Sequence, residues 1–241
     1  MIEIRQVRDL SGFAGVVELQ RDIWGFDAID LLPMRFLVVL DKVGGHIFGA
    51  YAGERMIAFC LAIPGVKPGP TSYLHSHMLG VLPEYRDGGI GRRLKLRQRE
   101  EALARGIGLV EWTFDPLELK NAFFNFERLG AIVCRYAENQ YGLTASPLHG
   151  GLPTDRCTAE WHLDSPRVRQ VLAGDRPPVH AVERISFPAD IALIRRQDAA
   201  RAREIQATNA ALFQDAFARG LAVTGYERGL TAGTYLLEPW Q

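Results

Sequence analysis

The chain has 241 residues, 47% of them hydrophobic, which is enough for a proper core and long enough for one large domain or a domain with an extension. Its 28 basic and 28 acidic side chains cancel, which argues against nucleic acid or an anionic membrane surface as the main partner. The three cysteines (Cys60, Cys134, Cys157) are well separated and lack metal-type spacing, and no apolar run reaches membrane length or forms an export leader, so a reduced, cytoplasmic setting fits best.

Ile2 to Val7 alternates apolar and polar residues and predicts a strand. Phe13, Val16, Val17, Leu19 and Ile23 fall at helical spacing, so Phe13 to Trp24 predicts a helix with Ser11 available as its cap. The loop Gly25 to Asp30 leads to a second helix over Leu32 to Val43, with Pro33 in its first turn. His46 to Ala52 and Met56 to Ile63 are apolar runs around Gly53-Glu54-Arg55, a hairpin signal. Pro64 to Pro70 reads as a loop and Tyr73 to Val81 as the next strand. A helix over Gly91 to Arg105 ends at Gly106; a strand follows over Leu109 to Phe114, then a helix over Leu117 to Leu129 closed by Gly130. Ile132 to Tyr141 is extended again, and a last strand falls in Thr158 to Leu163.

Beyond this, Arg176-Pro177-Pro178 reads as a linker, Glu183 to Phe187 as a short strand, and Asp198 as the cap of a helix reaching Arg219 and stopped by Gly220. Val223 to Tyr226 and Tyr235 to Leu237 pair as a terminal hairpin. These elements are too few for an independent core, so residues 166–241 are expected to pack as an extension on a first domain of residues 1–165.

The most informative segment is Val81 to Arg92. A strand passing through a glycine-rich turn into a helix leaves amides at the helix N-terminus without intrahelical partners, and these suit phosphate. Gly88, Gly89 and Gly91 remove side chains that would hold a diphosphate off the backbone, Asp87 and Ile90 complete the turn, and Arg86 and Arg92 add bidentate charge. A dinucleotide fingerprint is the rival: its third glycine is missing after Gly89-Ile90-Gly91, yet Glu111 lies about 20 residues downstream, where a ribose-binding acid is sought. A P-loop is excluded, because no Gly-Lys-Ser/Thr follows.

Arg86-x-x-Gly89-x-Gly91 after a strand ending Leu79-Gly80-Val81 resembles the coenzyme A signature of the GNAT N-acetyltransferase superfamily. The element order over Met1 to Leu163 is similar to that superfamily. The resemblance implies an α/β (α+β) fold with a mixed twisted sheet flanked by helices, acetyl-CoA or another acyl-CoA as co-substrate, and no metal. It also implies that the turn's amides hold the CoA pyrophosphate and that the Leu79, Gly80 and Val81 backbone meets the thioester and pantetheine arm. A small-molecule amine or amino acid is the implied acceptor, and a homodimer is left open.

His75 and His77 are two apart on the predicted strand, so both face one side of it. Imidazole titrates nearest neutrality and suits a base that takes the proton of an attacking amine, directly or through water. The run His75-Ser76-His77-Met78-Leu79-Gly80-Val81 closely resembles the His-x-His-x-Leu-Ala-Val of arylalkylamine N-acetyltransferases, which makes both histidines base candidates. The plainer reading is that they hydrogen-bond within a half-buried strand. A metal reading needs a third ligand, and His46, His149, His162 and His180 show no spacing that supplies one.

Lys120 to Gly130 is similar to the superfamily's second CoA segment, which points to Asn121 and Phe124 as coenzyme contacts. Asn121 directly precedes Ala122 instead of lying three residues before it. Phe126 stands where many members carry a tyrosine that protonates the departing thiolate, so Tyr136 and Tyr141 become candidates for that acid, with water as the other. The packing reading is preferred for Phe123 and Phe126. For the acceptor, the loop Trp24 to Asp30 lies where the superfamily builds its acceptor site; Trp24 and Phe26 offer aromatic walls, and Asp27 and Asp30 suit a cationic amine. A solvated loop anchored by its aromatics reads the same residues equally well. Glu111, Asp115 and Glu118 are alternative acids, and Asp155-Arg156 could meet an acceptor carboxylate. Together these features predict an N-acyltransferase working by direct transfer in a ternary complex. The competing expectation is a non-catalytic CoA-binding module.

Overall fold

β1 (Ile2–Gln6) pairs antiparallel with β2 (His46–Ala52), β2 with β3 (Arg55–Lys67), and β3 with β4 (Thr71–Val81) in a computed structural model that describes residues 1–69, 71–142 and 151–240. His149 lies outside the described residues. α1 (Leu10–Trp24) and α2 (Met34–Lys42) connect β1 to β2, and α1 buries Phe13, Val16 and Leu19 against the sheet's core. Asp9, not the expected Ser11, caps α1: its carboxylate accepts from Gly12 N at 2.8 Å, which leaves Ser11 inside the first turn. Gln20, fully buried on α1, pins the α1–α2 loop by exchanging hydrogen bonds with the backbone of Leu32, at 2.8 and 3.3 Å.

The expected Pro64 to Pro70 loop is mostly strand. β3 continues to Lys67, with Pro64 opposite Leu74 and Lys67 opposite Thr71. β2 begins at His46, opposite Ala62, so Pro64 lies past the end of β2 and its missing N–H breaks no bond to that strand. β4 carries a bulge: Leu61 faces Met78 and Ala62 faces Ser76, leaving His77 as the extra residue. A 3₁₀ turn (Pro83–Tyr85) and the glycine turn then lead into α3 (Ile90–Ala104), closed by Gly106 at φ 72°. β5 (Leu109–Phe114) joins β4 in parallel at Leu74↔Val110 and His75↔Glu111.

The chain divides into two compact units, Met1–Glu111 and Trp112–Gln241. In the second, the expected helix over Leu117 to Leu129 is a short α4 (Leu119–Phe123) running into a π-helical turn (Phe124–Arg128). Its start moves because the Asp115 carboxylate accepts from Leu117 N at 2.8 Å and closes a turn first. β6 (Ile132–Ala137) stops before the expected Tyr141, because the Asp155 carboxylate takes the Asn139 N–H at 2.9 Å and the chain turns there. β7 (Arg156–His162), α5 (Pro166–Ala173), β8 (Glu183–Pro188), α6 (Ile191–Gln197), α7 (Ala199–Ala218), β9 (Leu221–Arg228) and β10 (Ala232–Pro239) follow. α5 and α6 have no counterpart in the expected elements, whereas α7 has the expected Asp198 cap, accepting from Arg201 N at 2.9 Å.

Within this unit the strands run β7-β6-β9-β10-β8, all antiparallel, and Val223 of β9 stands opposite Val133 of β6. Phe126, Trp161, Phe187, Phe213 and Tyr235 are fully buried and form its aromatic core. The fold class is the expected mixed α/β one, with largely antiparallel pairing and flanking helices. No helix among the described residues is long and apolar enough to cross a membrane.

Candidate functional site

The turn between β4 and α3 has the open form its glycines suggest. Asp87 and Gly89 adopt left-handed conformations, at φ 63° and 73°. A Cβ added at Gly89 would meet nothing within 4 Å, and at Gly88 only Tyr85 O, at 3.6 Å. Gly89, the N-cap residue of α3, makes no side-chain cap bond, so the helix start meets the glycine turn through its backbone. Arg86 is exposed, and its Nε donates to Val81 O at 3.1 Å, which ties the turn to the end of β4; Arg92 is half-buried at the helix start. A cationic, glycine-lined helix terminus of this kind suits a diphosphate.

Upstream, Leu79, Gly80 and Val81 lie past the two pairs that join β4 to β5. Gly80 is buried, and a Cβ there would come within 2.8 Å of both Ile23 and Trp24, so only glycine lets the end of α1 approach the strand. Trp24 stacks on Phe26 at 5.3 Å and meets Phe59 edge-on at 5.8 Å. The aromatic loop and the candidate coenzyme strand are therefore neighbours. Asp27 and Asp30 are exposed on that loop, closed by Asp30 N to Asp27 O at 3.0 Å.

His75 and His77 are half-buried, with ring centroids 5.8 Å apart. Burial pushes both imidazoles below their ordinary pKa; the neighbouring His77 adds to this at His75, Glu111 opposes it, and Lys95 adds a smaller push downward. Glu111, opposite His75 in the ladder, is buried and ion-paired with Lys67.

Ser76, between the histidines, turns to the other face of β4, where Lys95 Nζ donates to its Oγ at 2.8 Å. Lys95 also donates to Gln98 Oε1 at 3.1 Å; Gln98 Nε2 meets His46 Nε2 at 3.0 Å, and His46 Nδ1 meets Glu101 Oε2 at 2.9 Å. Burial lowers Lys95 to about 7 and His46 to about 4. A neutral His46 then donates through Nδ1 to Glu101 and accepts from Gln98 through Nε2. The sequence reading missed this buried chain. Its one legible trace is that Gln98 falls in the Ile90, Leu94, Ala102 stripe of α3.

In the second unit, Tyr136 stacks on Phe213 at 5.5 Å and donates to Asp155 Oδ2 at 2.7 Å; burial first, then this hydrogen bond, raises its pKa well above the phenol range. Tyr141 is 47% exposed, with its hydroxyl 3.0 Å from Thr113 Oγ1. Asn121 is exposed and Phe124 half-buried on α4 and the turn that follows it. Phe126 is 1% exposed against Phe114 and Tyr235, in keeping with the packing reading. Asp115 and Glu118 are engaged by the buried Arg195, at 3.1 and 3.2 Å. Asp155 is taken up by Tyr136 and Asn139. A cleft of about 490 Å³ lined by Ser72, Tyr73 and Arg105, among others, lies at the start of β4, the end away from the glycine turn. Among the described residues no cluster of three or more His, Cys, Asp or Glu could hold a metal.

Residues 13–131 match the acetyltransferase (GNAT) family. No curated protein shows significant similarity to the chain. Among solved structures, it is similar to the ribosomal-protein-S18-alanine N-acetyltransferase from Escherichia coli (16% identity, TM-score 0.54, 68% of this chain and 96% of that one). It is also similar to smu.2055 from Streptococcus mutans UA159 (17%, TM-score 0.55, 67% and 99%). A third is an Arabidopsis thaliana protein in complex with the bisubstrate analogue CoA-Ac-MVNAL (15%, TM-score 0.53, 66% and 97%). At these identities the likeness is one of fold.

Proposed function

We propose that the chain, which matches the acetyltransferase (GNAT) family over residues 13–131, acylates a primary amine of a small molecule or amino acid by direct transfer in a ternary complex. One observation carries the reading: the open, uncapped glycine turn at α3 directly follows the strand that bears the paired histidines. Acetyl-CoA, when bound, supplies the acyl group as a thioester. The turn from Arg86 to Arg92, Asp87 and Ile90 included, binds the diphosphate through backbone amides and arginine charge. The backbone of Leu79, Gly80 and Val81 positions the acyl arm and polarises its carbonyl. Asn121 and Phe124 are assigned as further coenzyme contacts.

An alkylamine with a pKa near about 10 arrives charged and must lose a proton before it can attack. His75 and His77, kept neutral by burial, are the groups we assign to take that proton, directly or through water. Trp24 and Phe26 wall the acceptor site, and Asp27 and Asp30 favour a cationic approach. Phe126 has no proton to give, and Tyr136 is committed to Asp155, so Tyr141 is assigned to protonate the leaving thiolate. Residues 1–165 form the acyltransferase domain and 166–241 its extension, a reading supported by β9 pairing with β6. Free Cys60, Cys134 and Cys157 suit a cytoplasmic location.

Thiol release from acetyl-CoA is to be measured across primary amines, amino acids and peptide N-termini. Turnover with small amines, lost in Gly89→Trp, is the expected result. Turnover confined to peptide N-termini would remove the acceptor class, and coenzyme binding with no turnover on any acceptor would leave only a binding module.

A further inference from the structure

Beneath the histidine strand, on the face that meets α3, lies a buried hydrogen-bonded chain that the proposed chemistry does not use. It runs from Ser76 through Lys95, Gln98 and His46 to Glu101. Lys95 is 3% exposed, Gln98 and His46 are fully buried, and the acid at the far end reaches the protein surface beside Arg105. A lysine this deep is costly unless the structure uses it.

We propose that Lys95 is a positioning residue for the transfer, a buried clamp that fixes Ser76, and with it the histidine-bearing bulge of β4, to the helix that carries the glycine turn. The inference rests on the assignment of that turn and those histidines to acyl transfer. Ser76 is the last residue before the bulge; its Oγ is held 2.8 Å from Lys95 Nζ. Lys95 sits on α3 five positions beyond Ile90, where that helix begins. One side chain thus links the two parts of the site, base and cradle, across their shared core.

The clamp also acts electrostatically. The titratable and charged groups around it are Cys60 on β3, His46 on β2, His75 and His77 on β4, Glu101 on α3 and Arg105 just past its end; Glu111, ion-paired with Lys67, faces His75 from β5. Burial holds Cys60 in the thiol form, raised to about 12, and His46 in the neutral form. Burial first, then His77, holds His75 below its ordinary pKa, and a charge on Lys95 adds a smaller push in the same direction.

The test uses Lys95→Met, Ser76→Ala and the double variant of the full chain, with acetyl-CoA affinity by calorimetry and the His75 imidazole titration by NMR. Each single change is expected to weaken acetyl-CoA binding about tenfold, the cost of a lost buried charged hydrogen bond, and the double no further. Lys95→Met raises the His75 midpoint, while Ser76→Ala, which keeps the charge, leaves it in place. Additive losses, or an unmoved His75 in Lys95→Met, would overturn the clamp. Should Lys95→Met fail to fold, Ser76→Ala decides: unchanged affinity refutes the proposal, and a tenfold loss supports it. His75→Gln with normal turnover would instead sink the base assignment alone, since the affinity coupling of Lys95 and Ser76 does not depend on it.

Discussion

His75 and His77 share a face of β4 and are both drawn below the ordinary imidazole pKa, so the acid limb of turnover should fall below pH 6.5. Replacing both by glutamine should depress kcat most at neutral pH and less in alkali, where free amine is plentiful; an equal loss at every pH would mark a structural role. Lys95 gives a second pH signature. Its pKa is about 7 in the fold against 10.5 for the unfolded chain, so between these values the unfolded chain binds the extra proton. Stability therefore rises with pH across that window, by a few kcal/mol at most. Urea midpoints should climb from neutral to alkaline pH in the parent protein and climb less in Lys95→Met. The tyrosines separate the same way: Tyr136→Phe should lose stability at its Asp155 contact while turning over, and Tyr141→Phe should slow kcat. If neither affects kcat, water protonates the thiolate.

At the scale of elements, the β4–turn–α3 unit is the piece on which the proposed function depends. Its helix starts without a side-chain cap from Gly89, and a Cβ added at Gly89 would meet nothing within 4 Å, the space assigned above to a diphosphate. Gly89→Trp places an indole in that space and pays for a left-handed φ of 73° with roughly 1–2 kcal/mol. Acetyl-CoA binding by calorimetry should disappear while thermal unfolding remains cooperative, at a Tm a few degrees lower. Retained affinity would show that the turn is not the cradle. The bulge matters for the same reason: its extra residue is His77 itself, one of the two histidines, two positions before the segment Leu79 to Val81.

For the molecule as a whole, the last 76 residues are not a free appendage. β9 pairs with β6 at Val133↔Val223, Tyr235 packs on Phe126 at 5.9 Å, and Phe213 stacks on Tyr136 at 5.5 Å. A chain ended at Ser165 would expose those aromatics and an open edge of β6. Thermal melts with a hydrophobic dye should show early dye binding and a broadened transition in the truncated protein. A sharp transition at the parental Tm would mean that the extension only decorates the fold.

Local signals carried the elements whose causes are local. Helical spacing in Phe13 to Ile23, the Gly53-Glu54-Arg55 hairpin, the glycine turn and the Asp198 cap all depend on residues within a few positions of each other, so they were readable in order along the chain. The pairing of His75 with His77 was expected from strand alternation, and the two rings lie 5.8 Å apart although His77 is the bulge's extra residue. What spacing could not supply was whatever depends on neighbours far away in the chain. Pro64 became strand because it pairs with Leu74 of β4 beyond the start of β2, Lys95 lost its solvent by burial against Ser76 of β4, and Asp115 and Glu118 were claimed by Arg195 from well beyond them. Sequence alone marked the glycine turn and the paired histidines as candidates to grip a diphosphate and accept a proton. Only the packing of distant segments decided which polar groups were buried, and burial is what sets their charge and their partners.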